Sequence, residues 1–362
     1  MNQSKDGSPK KKGGFLRGLA WFVAICAVLE LSLRLFGYGS FTQYRPDNHL
    51  LWVPEPGRAL TVVNHLPITF NHQSFRYAVD LQAKHNGEFR IMSFGDSTTQ
   101  GWGVDDHSHY SAVLEKMLNQ GGCGREHFQV VSAGVNAYPN SLVAERLKEV
   151  IQNPLYQPDV VVRAYSFNSN FENLPRLEGA AREQFLNRVR MKSMVRRSAI
   201  YNFFIEDLFR ELAYYKLRHM LMAGSLSTVE GNGDLDVNRF NEGLEQSLQL
   251  AQAHHAQLVL LVLGSQGETK DSDMHPFQRA MLEFAATHQV PVVNMIEVMR
   301  DKDQRAMYMD PAHPTIAGHK LIAEQLYDVI RRLPVYTAAC QPPAVNVAKS
   351  AASPLGNVAG KQ

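Results

Sequence analysis

The sequence holds only three cysteines in 362 residues, Cys26, Cys123 and Cys340. Cys26 lies in an apolar run and Cys340 in a tail, so no disulfide framework is expected. There is no Cys-x-x-Cys pair and no His-Glu-x-x-His, the spacings that argue for zinc. His107, His109, His254, His255 and His275 stand at no ligand spacing with nearby carboxylates. No metal and no cofactor is therefore expected. A dominant charge sign is missing too: the formal net charge is +2. No whole-protein field points to nucleic acid, and no nucleic-acid partner is expected. No internal repeat of roughly 20–50 residues is visible, which speaks against a repeat architecture. Nothing in the composition bears on oligomeric state. What is there is ordinary for a globular chain, 44% hydrophobic and 20% charged. The length suffices for a large core, in one large domain with appendages or two smaller ones.

The amino end reads as a membrane anchor. Lys5, Lys10, Lys11, Lys12 and Arg17 precede an apolar stretch over 18–29. Glu30 and Arg34 interrupt it, and Leu31, Leu33, Leu35 and Phe36 continue its apolar face. Four residues apart on a helix, Glu30 and Arg34 can pair at the far interface. The span over 15–37 is long enough to cross a bilayer. The lysines predict a cytoplasmic basic tail over 1–14 and a body outside the inner membrane, in the periplasm. A cleaved signal peptide is the rival, with Ala24-Ile25-Cys26-Ala27 as a poor cleavage site followed directly by Val28 and Leu29. Bulky Ile25 argues against a lipoprotein site at Cys26. A buried soluble helix is the remaining alternative.

Residues 38–88 carry Pro46, Pro54, Pro56 and Pro67, which break any long helix. They read as an irregular linker with short extended segments that covers one edge of the core. From residue 89 apolar strands alternate with helical patterns. Strands are expected at 89–95, 128–134, 160–166, 258–264 and 291–296. Helices are expected at 110–118, 142–151, 240–253, 274–287 and 314–333, with Pro314 in the first turn of the last. Continuous Val/Leu-rich strands are those of a parallel sheet covered on both faces. The fold class is α/β, an open, doubly wound, five-stranded parallel sheet. A helical insertion over 171–236 breaks the rhythm. It is either a cap over the site or a solvated helical hairpin packed on the sheet's edge by its aromatics. Its arginines either face anionic lipid or glycan or are merely solvated. The tail over 336–362 is expected to be disordered.

Four short stretches fall at strand ends or before the last helix: Gly95-Asp96-Ser97, Ala133-Gly134-Val135-Asn136, Ser166-Phe167-Asn168-Ser169 and Asp310-Pro311-Ala312-His313. A serine at the carboxyl end of a strand is a nucleophile if a base reaches it. His313 is such a base near neutral pH, and Asp310 can orient it. In their order, over 89–335, these stretches resemble the SGNH (GDSL-type) hydrolase family, in its membrane-anchored bacterial form. The resemblance implies that family's flavodoxin-like fold, a Ser97–His313–Asp310 triad, and an oxyanion hole from the backbone N–H of Ser97 and Gly134 and the amide of Asn168. Thr98 stands where the family has leucine. Ser166 and Ser169 stand where it has glycine and aspartate, so Asn170 is an alternative register for the asparagine. Trp102 and Gly103 either line an acyl pocket or pack structurally, and His319 is expected to be structural. The function expected is an extracytoplasmic serine esterase acting on a small ester or acylated glycan. An O-acyltransferase on an envelope glycan, or a catalytically weak anchored carbohydrate-binding or assembly protein, are the alternatives.

Overall fold

The computed structural model describes residues 12–121, 123, 127–209, 236–268 and 274–340. Most of the expected basic tail, the second half of the insertion and the tail from 341 onward lie outside the described residues.

The chain opens with α1 (Lys12–Leu35), then forms two antiparallel hairpins, β1 (Tyr44–Asp47) with β2 (Leu51–Pro54) and β3 (Gly57–Leu60) with β4 (Pro67–Phe70). The segment read as an irregular linker is thus a folded cover. Pro46, Pro54 and Pro67 sit in these short two-stranded hairpins and Pro56 in the bend between them, and β2 is buried throughout.

The core sheet comprises β5 (Glu88–Phe94), β6 (His127–Ser132), β7 (Val160–Ala164), β8 (Gln257–Val262) and β9 (Val292–Asn294). They lie in the order β6-β5-β7-β8-β9 and every pairing is parallel. Strand side chains alternate between faces. Phe89 and Ile91 of β5 join one core, with α3 (Tyr110–Gln120) and α8 (Ile316–Ile330). Met92 and Phe94 join the other, with α4 (Asn140–Ile151), α6 (Val237–Ala253) and α7 (Pro276–His288). The sheet is therefore doubly wound. The connection reverses at β5, between β6 and β7, and the crevice at such a reversal is where open α/β sheets bind ligands.

Several expectations change in detail. Met295 and Ile296 are not strand residues: Asn294 accepts a hydrogen bond from the Ile296 N–H and starts the short helix Met295–Met299. Pro314 is not in the first turn of α8. Thr315 caps that helix, and Pro314 pairs with Tyr308 in an isolated bridge. The tail is ordered at its start: α9 (Pro334–Ala339) buries Tyr336 against Phe89 and Phe128, at ring separations of 5.9 and 5.7 Å. Cys340, just past α9, forms a disulfide with Cys123, their Cα atoms 4.9 Å apart across 217 residues of sequence. The reading of no disulfide framework does not anticipate this single bridge, because the pairing depends on where α9 docks and not on spacing. The described first half of the insertion contains α5 (Gly179–Val195). It packs on the β1–β2 hairpin rather than on the sheet's edge, with Phe185 5.8 Å from Trp52.

Candidate active site

The turn at Ser97 follows from its local sequence. β5 ends at Phe94, and one helical turn, α2 (Ser97–Gln100), starts two residues past Gly95. Asp96 caps it, Oδ1 accepting from the Thr98 N–H at 3.0 Å. Gly101 ends it at φ +85°, a left-handed conformation that other residues adopt at a cost. Ser97 occupies the first helical position, so its N–H has no acceptor within the helix. Gly134 lies alongside. A methyl group there would collide with the backbone of Thr99 and Gln100. The N–H groups of Ala133 and Val135 bond the carbonyls of Ser93 and Gly95, at 2.8 and 3.1 Å, so the intervening Gly134 N–H points away from β5.

Ser97 and His313, 216 residues apart, meet directly. Ser97 Oγ lies 2.7 Å from His313 Nε2, and His313 Nδ1 lies 2.7 Å from Asp310 Oδ2. The carboxylate only accepts, so Nδ1 carries the proton and Nε2 is free to accept from the serine hydroxyl. Asp310 Oδ1 accepts from the N–H groups of Ala312 and His313 at 2.9 and 2.8 Å. Burial by itself would raise the Asp310 carboxyl. The hydrogen bond and charge of His313, with these two N–H groups, hold it below its ordinary value. Trp102 lies over the imidazole at 5.6 Å. Thr98, the departure from leucine, reaches the Ala312 carbonyl at 3.4 Å. Gly103 abuts the Met309 sulfur.

Asn168 lies just past β7 and is joined to the Ser97 turn through Asp96. Its amide nitrogen is 3.1 Å from Asp96 Oδ2, 3.2 Å from the Tyr138 carbonyl and 3.2 Å from Ser166 Oγ. Asp96 Oδ2 also accepts from the Phe167 N–H at 3.1 Å. Burial raises the Asp96 carboxyl above its ordinary value, against the lowering effect of these bonds and of His313. Ser166, in the place of the family's glycine, donates to the Tyr138 carbonyl and is clasped by Asn140 through both its N–H and its carbonyl, at 3.0 Å each. The Asn170 side chain is not among the described ones.

Four supporting residues carry little sequence signal. Arg76, buried, donates to the carbonyls of Gln100, Gly101 and Val104 at 2.7–2.8 Å and so fixes the chain leaving α2. Gln100 accepts from the Asn136 N–H at 2.5 Å, tying the loop past Gly134 to the same turn. Glu172 accepts from the N–H groups of Asn140 and Ser141 at 2.8 and 2.9 Å, capping α4 from another loop. Asp96 stood in the motif, but its bond to Asn168 had no signal beyond that. His319 is fully buried and accepts from the Tyr110 N–H at 3.3 Å. His275 caps α7. Among the described residues no group of His, Cys, Asp and Glu is arranged to hold a metal.

The model of the GDSL-like lipase/acylhydrolase family matches residues 93–321, well over half of the chain. The chain belongs to that family. This GDSL-like chain is accordingly an ester hydrolase. Among solved structures it is similar to the acetyl xylan esterase AlAXEase (13% identity over 67% of this chain and 100% of that one, TM-score 0.43). It is likewise similar to TesA (17%, 67% and 98%, TM-score 0.43) and to a lipase/acylhydrolase from Enterococcus faecalis (16%, 67% and 95%, TM-score 0.42). No curated protein matches the chain. The GDSL-like domain is preceded by one helix, over Gly14–Leu35, long and apolar enough to cross a membrane, a property that signal sequences share.

Proposed function

We propose that this protein is an extracytoplasmic serine esterase, tethered to the inner membrane by α1, that hydrolyses an acyl ester through Ser97, His313 and Asp310. The observation that carries this reading is the unbroken hydrogen-bonded line from Ser97 Oγ through the imidazole to Asp310. His313 Nε2 takes the serine proton as Oγ attacks the acyl carbon, then returns it to the leaving alcohol. Asp310, held as a carboxylate, keeps the imidazole in the required tautomer and stabilises its cationic form. The oxyanion receives the N–H groups of Ser97 and Gly134, both directed outside the regular ladders. Asn168 supplies the third donor. Its two amide hydrogens serve three acceptors, so one can turn to the oxyanion as charge develops there. Water then attacks the acyl-enzyme by the same proton relay.

Two observations support the location. Lysines precede the apolar span, which predicts a cytoplasmic amino end. The Cys123–Cys340 disulfide belongs to an oxidising compartment.

The test is labelling of the full-length, oxidised protein by a fluorophosphonate probe, with ester hydrolysis measured in parallel. Ser97→Ala should abolish labelling and lower turnover by about 10⁴- to 10⁶-fold, and His313→Ala should come close to it. Undiminished hydrolysis by either folded variant overturns the mechanism.

A further inference from the structure

The carboxyl end of α1 is built into the insertion. Glu30 accepts hydrogen bonds from Ser198 Oγ and from the N–H groups of Ala199 and Ile200, at 2.9–3.0 Å, and so caps the short helix Ala199–Tyr201. Arg34, paired with Glu30 at 2.7 Å, donates to the Arg197 carbonyl that ends the preceding turn. Both charges that interrupt the apolar span therefore satisfy backbone groups of the insertion. At 1.5 Å per residue, Glu30 lies about 7.5 Å before Leu35 along the helix. Residues 198–200 thus meet α1 inside its apolar stretch, which runs to Leu35, and not beyond it.

The next segment, Asn202–Phe209, is a wide, π-type helix. Its polar groups turn toward the protein. Asn202 is buried and donates to the Tyr38 and Arg196 carbonyls. Glu206 forms a two-bond pair with Arg196, at 2.9 Å each. Asp207 faces His65 at 3.7 Å and the Tyr38 hydroxyl. Phe203 packs on Tyr38 at 5.1 Å. What remains outward is apolar: Phe204, Ile205, Leu208 and Phe209, each 38–56% exposed. Met191, Met194 and Val195 at the end of α5, and Leu31, Leu35 and Phe36, add to the exposed apolar surface of the elements joined here. A segment facing water would place its two acids outward and its large apolar side chains inward; here both acids turn in while Phe204, Ile205, Leu208 and Phe209 face out, and only Phe203 packs inward.

We propose that the segment 199–209 is a second lipid-contacting element, seated beside α1 in the outer interfacial zone of the same bilayer. The occupant of this face is lipid: aromatic and aliphatic side chains of an interfacial helix partition there. The body is then fixed to the membrane at two places, α1 and the insertion, rather than hung from a free tether. The inference rests on α1 spanning the membrane.

The experiment uses the full-length protein with Cys26→Ser, its disulfide intact, reconstituted in phosphatidylethanolamine/phosphatidylglycerol vesicles. Single cysteines at Leu208→Cys, Phe209→Cys, Val23→Cys and Glu283→Cys carry a nitroxide, and its collisions with oxygen and with a water-soluble nickel chelate are compared. The expected result is an oxygen-to-nickel ratio at 208 and 209 several-fold above that at Glu283, on the exposed face of α7, and on the side of Val23 within α1. A lipid-like ratio at 23 with a water-like ratio at both 208 and 209 overturns the proposal and leaves the anchor standing. A water-like ratio at 23 removes the anchor and the proposal with it. Spin–spin broadening between copies at 208 and 209 would assign the face to a second copy of this chain and also overturn the proposal.

Discussion

Two aspartates flank the serine, and they are held in opposite ways. Asp310 takes its hydrogen bonds from Ala312 and His313, all within three residues. Asp96 takes one from Thr98 but two from Phe167 and Asn168, 71 and 72 residues away. Asp310 is partly open to solvent, and its donors keep it ionised below the ordinary range; Asp96 is fully enclosed, and burial raises it. The same residue type thus serves as an electrostatic partner in one place and as a clasp between two loops in the other. The Asp310–His313 pair is a local motif. The Gly134–Asn168 side is an assembly of loops past β5, β6 and β7, held by Asp96, Tyr138, Asn140 and Glu172.

Asn168→Ala tests that contrast most strongly. If the amide donates to the oxyanion, turnover falls by about 10²- to 10³-fold, mainly in kcat. Thermal stability should fall modestly as well, because Asp96 and the Tyr138 carbonyl lose a donor. A variant with lowered stability and unchanged kcat would make Asn168 a clasp only. Asn170→Ala should be mild; a silent Asn168→Ala beside a damaging Asn170→Ala would move the asparagine's register by two residues.

Glu172→Ala should act at one remove. Loss of a helix cap costs about 1 kcal/mol, and with α4 uncapped the loop bearing Asn168 loses one wall. Turnover should drop several-fold with KM little changed, alongside a lower Tm. A change in KM alone would place Glu172 in substrate binding instead.

The smallest effect at neutral pH belongs to His319. Burial, with the charges of Arg76 and His313, pushes its imidazole down to about 3. In the unfolded chain a histidine titrates near about 6.5. The folded state therefore takes up the proton less readily than the unfolded one. Its contribution to stability is fully present above about pH 6.5 and is lost as pH falls toward about 3. His319→Gln, which keeps an acceptor for the Tyr110 N–H, should give a shallower fall of Tm across that window. The slope should not vanish, since His109 is also buried and depressed. An unchanged slope would show that His319 is not held neutral by the fold.

The sequence by itself determined the parts whose physics is short-range. Alternating Val/Leu-rich strands and amphipathic helices named the parallel sheet, and Gly95-Asp96-Ser97 and Asp310-x-x-His313 marked Ser97 and His313 as the candidate nucleophile and base. Apolar length and flanking lysines marked α1 as a candidate span. Only the tertiary structure decided the rest. The Arg76 side chain is one cation among many until the fold sets it against three carbonyls of the loop that follows Ser97. Glu30 and Arg34 read as an ion pair on one helix, but their other partners lie more than 160 residues on. The Cys123–Cys340 bridge is not foreseen, and α9 reads as an unstructured tail, because their contacts depend on Tyr336 finding Phe89 and Phe128. Periodicity and caps act over one helical turn and are written in neighbouring residues. The bonds that place Asn168, close the disulfide and dock α1 join residues that only the packed sheet brings within reach.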